Sequence, residues 1–292
     1  MKNKNAKYVV VRIDRIGMQL YSIINAIYYC EKHNLRYIHI PLDDSNVEYS
    51  KLFQLGEGYN TMTKEEFALE HNDRNTKIVN LARLFSLIKN NKNHKKSYIN
   101  YKSIAFVKYR CLLINKYKKS ELYIPLYKNK EINISVHYRR GDVVPYKTKQ
   151  KNIRLRAIER HNLRYTPDNY INEILNKLNL NMNGIPINIH IHSDSKLELE
   201  KIITVKHKFK ICPHFNDSTI DSLNSMIQSD ILFRYGISSF SGIAAFYNEN
   251  IVISNIQTKY KYLYNYTNTY MFERCDDILL MLSKKIKMNY IM

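Results

Sequence analysis

Two short stretches set anion-binding side chains at the ends of apolar runs. In "ISVHYRRGDVV", Ile134 to Val144, a strand-like run breaks into Arg139 and Arg140, followed by Gly141 and Asp142. Arginine presents a planar fork of donors that grips phosphate oxygens in pairs and keeps its charge. Gly141 lets the backbone turn, and Asp142 can hold one guanidinium in place. The same residues also suit a salt-bridged surface turn, and His137 also suits a hydrogen-bonded core position. Downstream, "SSFSG" sets Ser238, Ser239, Phe240 and Ser241 before Gly242 where a helical run begins. Free N–H groups at a helix start attract anions, although hydroxyls there also serve as plain caps. In "HSDS", Asp194 follows a strand, either as an N-cap or as a carboxylate for a base or ribose.

The elements that must position these residues follow from hydrophobic spacing. "KYVVVRI" reads as a strand, "DRIG" as a turn, and Leu20, Ile23, Ile24, Ile27 and Tyr28 share one face of a helix before the strand "RYIHIPL". From Asp43 to about Lys130 no strand–helix alternation is legible; "TKEEFALEH" and "IVNLARLFSLIKN" read as helical pieces. Alternation returns with strand "INISVHY", a helix capped by Thr166 with Pro167 at its first position, strand "PINIHIH" and helix "KLELEKIITVKH". Strands "FKICP", "ILFRYGI" and "NIVIS" follow, and "CDDILLMLSKKIKM" closes the chain as an amphipathic helix. Such alternation predicts an α/β chain with parallel sheets, in which ligands bind at the carboxyl ends of the strands. The expected units are 1–130 and 131–292, two Rossmann-like lobes with a cleft between them. "KYKYLYNYTNTY", with Tyr260, Tyr262, Tyr264 and Tyr266 at period two, reads as a strand with one aromatic face.

The 292 residues carry 46 Lys and Arg against 26 Asp and Glu, a formal charge of +20. That excess favours a polyanionic partner, such as nucleic acid, an anionic membrane or a phosphorylated substrate, unless it only decorates a solvated surface. The cysteines Cys30, Cys111, Cys212 and Cys275 form no CxxC pair, which argues against a structural zinc or disulfide framework and fits a cytoplasmic chain. No signal peptide and no membrane-spanning run is read.

Taken in order, "GMQLYSIINAIYYCEKHNL", "ISVHYRRGDVV", "IHSDS" and "SDILFRYGISSFSGIAAFYN" resemble the bacterial α-1,2-fucosyltransferase family (glycosyltransferase family 11), whose HxRR(G/T)D element is shared with other GDP-fucose-dependent transferases. The resemblance implies a GT-B-like fold and a metal-independent, inverting transfer of fucose from GDP-fucose to a glycan hydroxyl, in polysaccharide biosynthesis. It implies no cofactor and a glycan acceptor, with a lipid-linked one among the options; the charge excess keeps peripheral contact with an anionic membrane as a further option. Arg139 would contact the donor diphosphate, with Arg140, His137 and Asp142 shaping the loop. Asp194 would face the guanine, and Ser238, Ser239, Phe240 and Ser241 would line the phosphate pocket. Asp14, Gly17 and Gln19 would border the cleft from the N-terminal lobe. The chain departs from the family at Met18, where an asparagine is usual, and at Gly242 and Ile243, where two tryptophans are usual. These departures bear on acceptor and linkage more than on donor. Asp14 and Asp142 are the candidate bases.

Other readings are a transferase using another GDP-sugar, a non-catalytic nucleotide- or glycan-binding relative, and a basic nucleic-acid-binding protein. Against the last, the charges are dispersed and no helix-turn-helix, RRM or zinc pattern occurs.

Overall fold

The computed structural model describes residues 7–9, 16–42, 47–72, 78–80, 108–127, 131–140, 143, 163–255 and 268–291. It divides into two compact units, Met1–Ile124 and Pro125–Met292.

In the first unit, β1 (Lys7–Val9), α1 (Ile16–Lys32) and β2 (Arg36–His39) form the expected βαβ arrangement. Alternation then continues through α2 (Val47–Leu52), β3 (Asn60–Thr61), α3 (Lys64–Asn72) and β4 (Ile78–Asn80), and the sheet runs β3-β2-β1-β4 with every pairing parallel. This corrects the reading of an irregular middle. Strands of two and three residues are too short to show a period, and Ile78–Asn80, read as the start of a helix, is drawn into the sheet beside β1. Thr63 and Glu66 cap α3 reciprocally, Thr63 N–H donating to Glu66 Oε2 (2.8 Å) and Glu66 N–H to Thr63 Oγ1 (3.1 Å). A further helix, α4, covers 108–119.

The second unit contains β5 (Ile132–Tyr138), α5 (Asn169–Asn181), β6 (Ile187–Ser193), α6 (Leu199–Ile202), β7 (Lys210–Phe215), α7 (Thr219–Gln228), β8 (Ile231–Tyr235), α8 (Ser239–Tyr247), β9 (Ile251–Asn255), β10 (Thr269–Met271) and α9 (Cys275–Ile291). Its all-parallel sheet runs β10-β9-β8-β5-β6-β7. Counted from β5 as first strand, this is the Rossmann order 3-2-1-4-5-6, with the reversal between β5 and β8. The chain is thus α/β with two parallel sheets, the second in Rossmann order, the class that its alternation predicts.

Three local expectations change. Thr166 is not a helix cap: α5 begins at Asn169, and the buried Thr166 hydroxyl accepts Arg139 N–H at 3.0 Å. The helix read at "KLELEKIITVKH" is only Leu199–Ile202, because Ile203 turns to extended backbone at the head of a β-branched run. "FKICP" extends as β7 through Pro213, which a sheet tolerates here because β7 is an edge strand. The period-two tyrosines lie outside the described residues.

The sheet of the second unit has two unlike faces. Ile134, Val136, Ile189, Ile191, Phe233 and Ile253 pack with α5 (Ile171, Ile174, Leu175, Leu178) and α9 (Leu279), all buried. Each such side chain contributes about 1.5–3 kcal/mol of burial. The opposite face, apart from buried Leu232 and Val252, is rich in polar side chains. One register row runs Ser254, Arg234, His137, His192, His214 across β9, β8, β5, β6 and β7. Helix α7 bonds to this face through Ser225 Oγ, 3.0 Å from His192 Nε2.

Among the described residues no helix is long and apolar enough to cross a membrane.

Candidate functional site

The loops leaving β5 and β8 flank the topological switch point of the second sheet, where open parallel sheets leave a crevice outside the strand ends. One carries Arg139 and Arg140, the other Ser238 to Ser241. Strand pairing brings these motifs together: His137 and Arg234 are opposed in the register of β5 and β8.

The two arginines have different surroundings. Arg140 is committed to the protein. Its guanidinium donates to Thr166 O and to Asp168 Oδ1, and it stacks over the rings of Tyr138 (4.7 Å) and Tyr165 (4.0 Å). Arg139 is anchored through its backbone, which exchanges bonds with Thr166, Arg139 N–H to Oγ1 at 3.0 Å and Thr166 N–H to Arg139 O at 3.3 Å. Its Nε lies 3.6 Å from Asp194 Oδ2. The carboxylate of Asp194 also accepts Arg140 N–H at 3.1 Å through Oδ1, so Asp194 braces the arginine loop from the end of β6. Asp142, with Gly141, lies outside the described residues.

His137 is buried, and its ring is 5.8 Å from that of Phe240 in α8. Burial, with Arg139 and Arg234 adding like charge, pushes its pKa down to about 3, so the imidazole is neutral near pH 7. Among the described residues its Nδ1 has no hydrogen-bond partner.

At the start of α8, Ser238 is the N-cap, but its hydroxyl makes no capping bond. Ser238 and Ser241 are buried, Ser241 Oγ without a partner among the described residues, while Ser239 and Phe240 are half-buried. The turn before it depends on Gly236. Its φ is +60°, and a Cβ there would lie 1.9 Å from the Leu163 carbonyl oxygen. Gly236→Ala should therefore cost at least about 2 kcal/mol, from left-handed backbone strain plus the clash, read as a fall in the urea midpoint.

The sequence reading missed Arg234. Its guanidinium is 0% exposed and donates from Nη2 to Ser238 O at 3.1 Å. An arginine inside the apolar strand "ILFRYG" is the signal that was available. In the first unit, Gly17 and Gln19 sit buried in the first turn of α1, and Asp14 lies outside the described residues. Among the described residues no group of three or more His, Cys, Asp or Glu is arranged to hold a metal ion.

Fold and site together define an α/β chain with an anion-suited loop pair at a Rossmann switch point. The sequence matches no protein-family model and no curated protein. The chain is similar to the solved structure of POFUT1 in complex with GDP-fucose, at 11% identity and TM-score 0.46 over 88% of this chain and 99% of that one. It is similar to NodZ α-1,6-fucosyltransferase co-crystallised with GDP (10%, TM-score 0.41, 83% and 92%) and to E. coli heptosyltransferase WaaC with ADP (9%, TM-score 0.41, 97% and 99%). At these scores no residue of this chain takes its role from them.

Proposed function

We propose that the chain is a glycosyltransferase that binds GDP-fucose at the β5–β8 switch point and transfers fucose, with inversion, to a glycan hydroxyl. The observation that carries the reading is the convergence of Arg139 with the hydroxyl-rich start of α8 at that crevice. Breaking the bond from sugar to GDP develops negative charge on the β-phosphate. An arginine and helix N–H groups fixed beforehand stabilise that charge without reorganising, which lowers the barrier to departure. The sequence motifs from Gly17 to Asn248 support guanine and fucose as the particular base and sugar. Arg140 acts through structure in this reading, holding the strand end by its bonds to Thr166 O and Asp168. The proton of the acceptor hydroxyl passes to a base, for which Asp14 and Asp142 are the candidates by sequence. His137, kept neutral and weakly basic, is a poor proton acceptor near pH 7 and suits packing behind Arg139 instead.

Calorimetry tests the reading. GDP should bind with micromolar affinity and ADP at least tenfold more weakly. Arginine supplies the charge, so EDTA should leave the GDP affinity unchanged. A chain that binds neither nucleotide refutes the reading, and equal binding of both refutes its guanine component. Hydrolysis of GDP-fucose compared with GDP-mannose then decides the sugar.

A further inference from the structure

We propose that Arg234 is a positioning residue of this anion site: its buried guanidinium fixes the start of α8 and sets a second cation behind Arg139, matched to a diphosphate. The inference rests on the GDP-binding reading above.

Two bonds fix the residue at main-chain level. Tyr170 Oη donates to the Arg234 carbonyl at 3.2 Å, tying it to α5, and Arg234 Nη2 donates to the Ser238 carbonyl at 3.1 Å. The Ser238 carbonyl also accepts Gly242 N–H at 3.1 Å, the first bond of α8. Arg234 therefore grips the carbonyl from which the helix is built, and a shift of its side chain moves the first turn.

The placement is electrostatically expensive in isolation. A helix start carries a partial positive charge, and a guanidinium removed from water beside it lies at the unfavourable end of the dipole. An anion held by the N–H groups of that turn reverses the balance, since it is attracted by both. Two further observations place a ligand there. Ser241 Oγ, in the first turn of α8, and Ser254 Oγ, opposite Arg234 in the register of β9, are buried without hydrogen-bond partners among the described residues. His137, between the two arginines in influence, stays neutral, so no third positive charge competes.

The test compares GDP with guanosine, which presents the same base and ribose without phosphate. Arg234→Gln, which removes the charge, should weaken GDP binding about 10–30-fold and leave guanosine binding within twofold. Arg234→Lys, which keeps the charge but not the fork, should recover most of the GDP affinity. A merely structural role would weaken both ligands alike, and that result overturns the proposal, as does a folded Arg234→Gln chain with wild-type GDP affinity. If Arg234→Gln does not fold, the arginine Nε–Hε NMR signals of the wild-type chain decide, with Arg234 assigned through Arg234→Lys. The Arg234 signal should shift on adding GDP and stay in place on adding guanosine; an unmoved signal with GDP bound overturns the proposal. Failure of the wild-type chain to bind GDP would instead remove the functional reading itself.

Discussion

Replacing Arg139 with alanine should weaken GDP binding about a hundredfold, equivalent to about 3 kcal/mol, while leaving the unfolding midpoint nearly unchanged. The expected size follows from its position. The side chain is only 14% exposed, so its charge acts where water screens poorly. Its main chain is held independently by Thr166, so truncation should not release the loop. Asp194 Oδ2 lies 3.6 Å from its Nε, longer than a hydrogen bond, so this ion pair costs little to give up. Arg140→Ala should behave in the opposite sense. It removes a bond to the buried Thr166 carbonyl and two ring contacts, and should lower stability by about 2 kcal/mol with a smaller loss of affinity. Isothermal calorimetry and urea unfolding on both variants separate the roles. Wild-type affinity in Arg139→Ala would remove the phosphate contact from the mechanism.

The second large effect is loss of stability in mild acid. His137 is pushed down to about 3 and His190 to about 4, with burial the main cause in each, and burial holds His192 well below the ordinary histidine range. In the unfolded chain these imidazoles titrate near 6.5. Between that value and the folded values the unfolded state binds more protons, so stability falls as pH falls. Above about pH 7 these groups contribute no slope. Each histidine adds up to about 1.4 kcal/mol per pH unit within the window, so the three together should make the second unit steeply acid-labile between about pH 6 and pH 4.5. Urea unfolding at half-unit pH steps checks this. His192→Gln should remove up to one proton from the slope. A flat profile down to pH 4.5 would show that these rings are charged in the folded state.

The second unit was the more legible in sequence for a physical reason. Its strands β5 and β6 are seven residues long and its helices α5 and α7 ten or more, enough for a period to appear. In the first unit β3 and β4 hold two and three residues, and their strand character comes from pairing with β2 and β1, not from their own composition. Thr166 shows the limit of local rules. Thr-Pro is a good helix start by propensity, yet its hydroxyl bonds to Arg139, because the strand end left that N–H without a sheet partner. The polar face of the second sheet was hidden for the opposite reason. Alternation in "INISVHY" and "PINIHIH" ordinarily marks a solvated face, and here that face is buried beneath α7 through the Ser225–His192 bond.

By itself, the sequence determined the parallel α/β class, the two loops with anion chemistry, and the helix that opens within "SSFSG". These depend on local periodicity and residue type, which the chain carries within a few residues. Only the tertiary structure decided which arginine is bound by Thr166 O and Asp168. Arg139 and Arg140 are neighbours with identical chemistry, and what separates them is the fixed position of Thr166, Asp168 and Tyr165, brought back to the strand end by the fold. The order of the strands likewise decided that the loops of β5 and β8 meet at the switch point, and with them came Arg234, a buried cation whose meaning depends on the helix built against it.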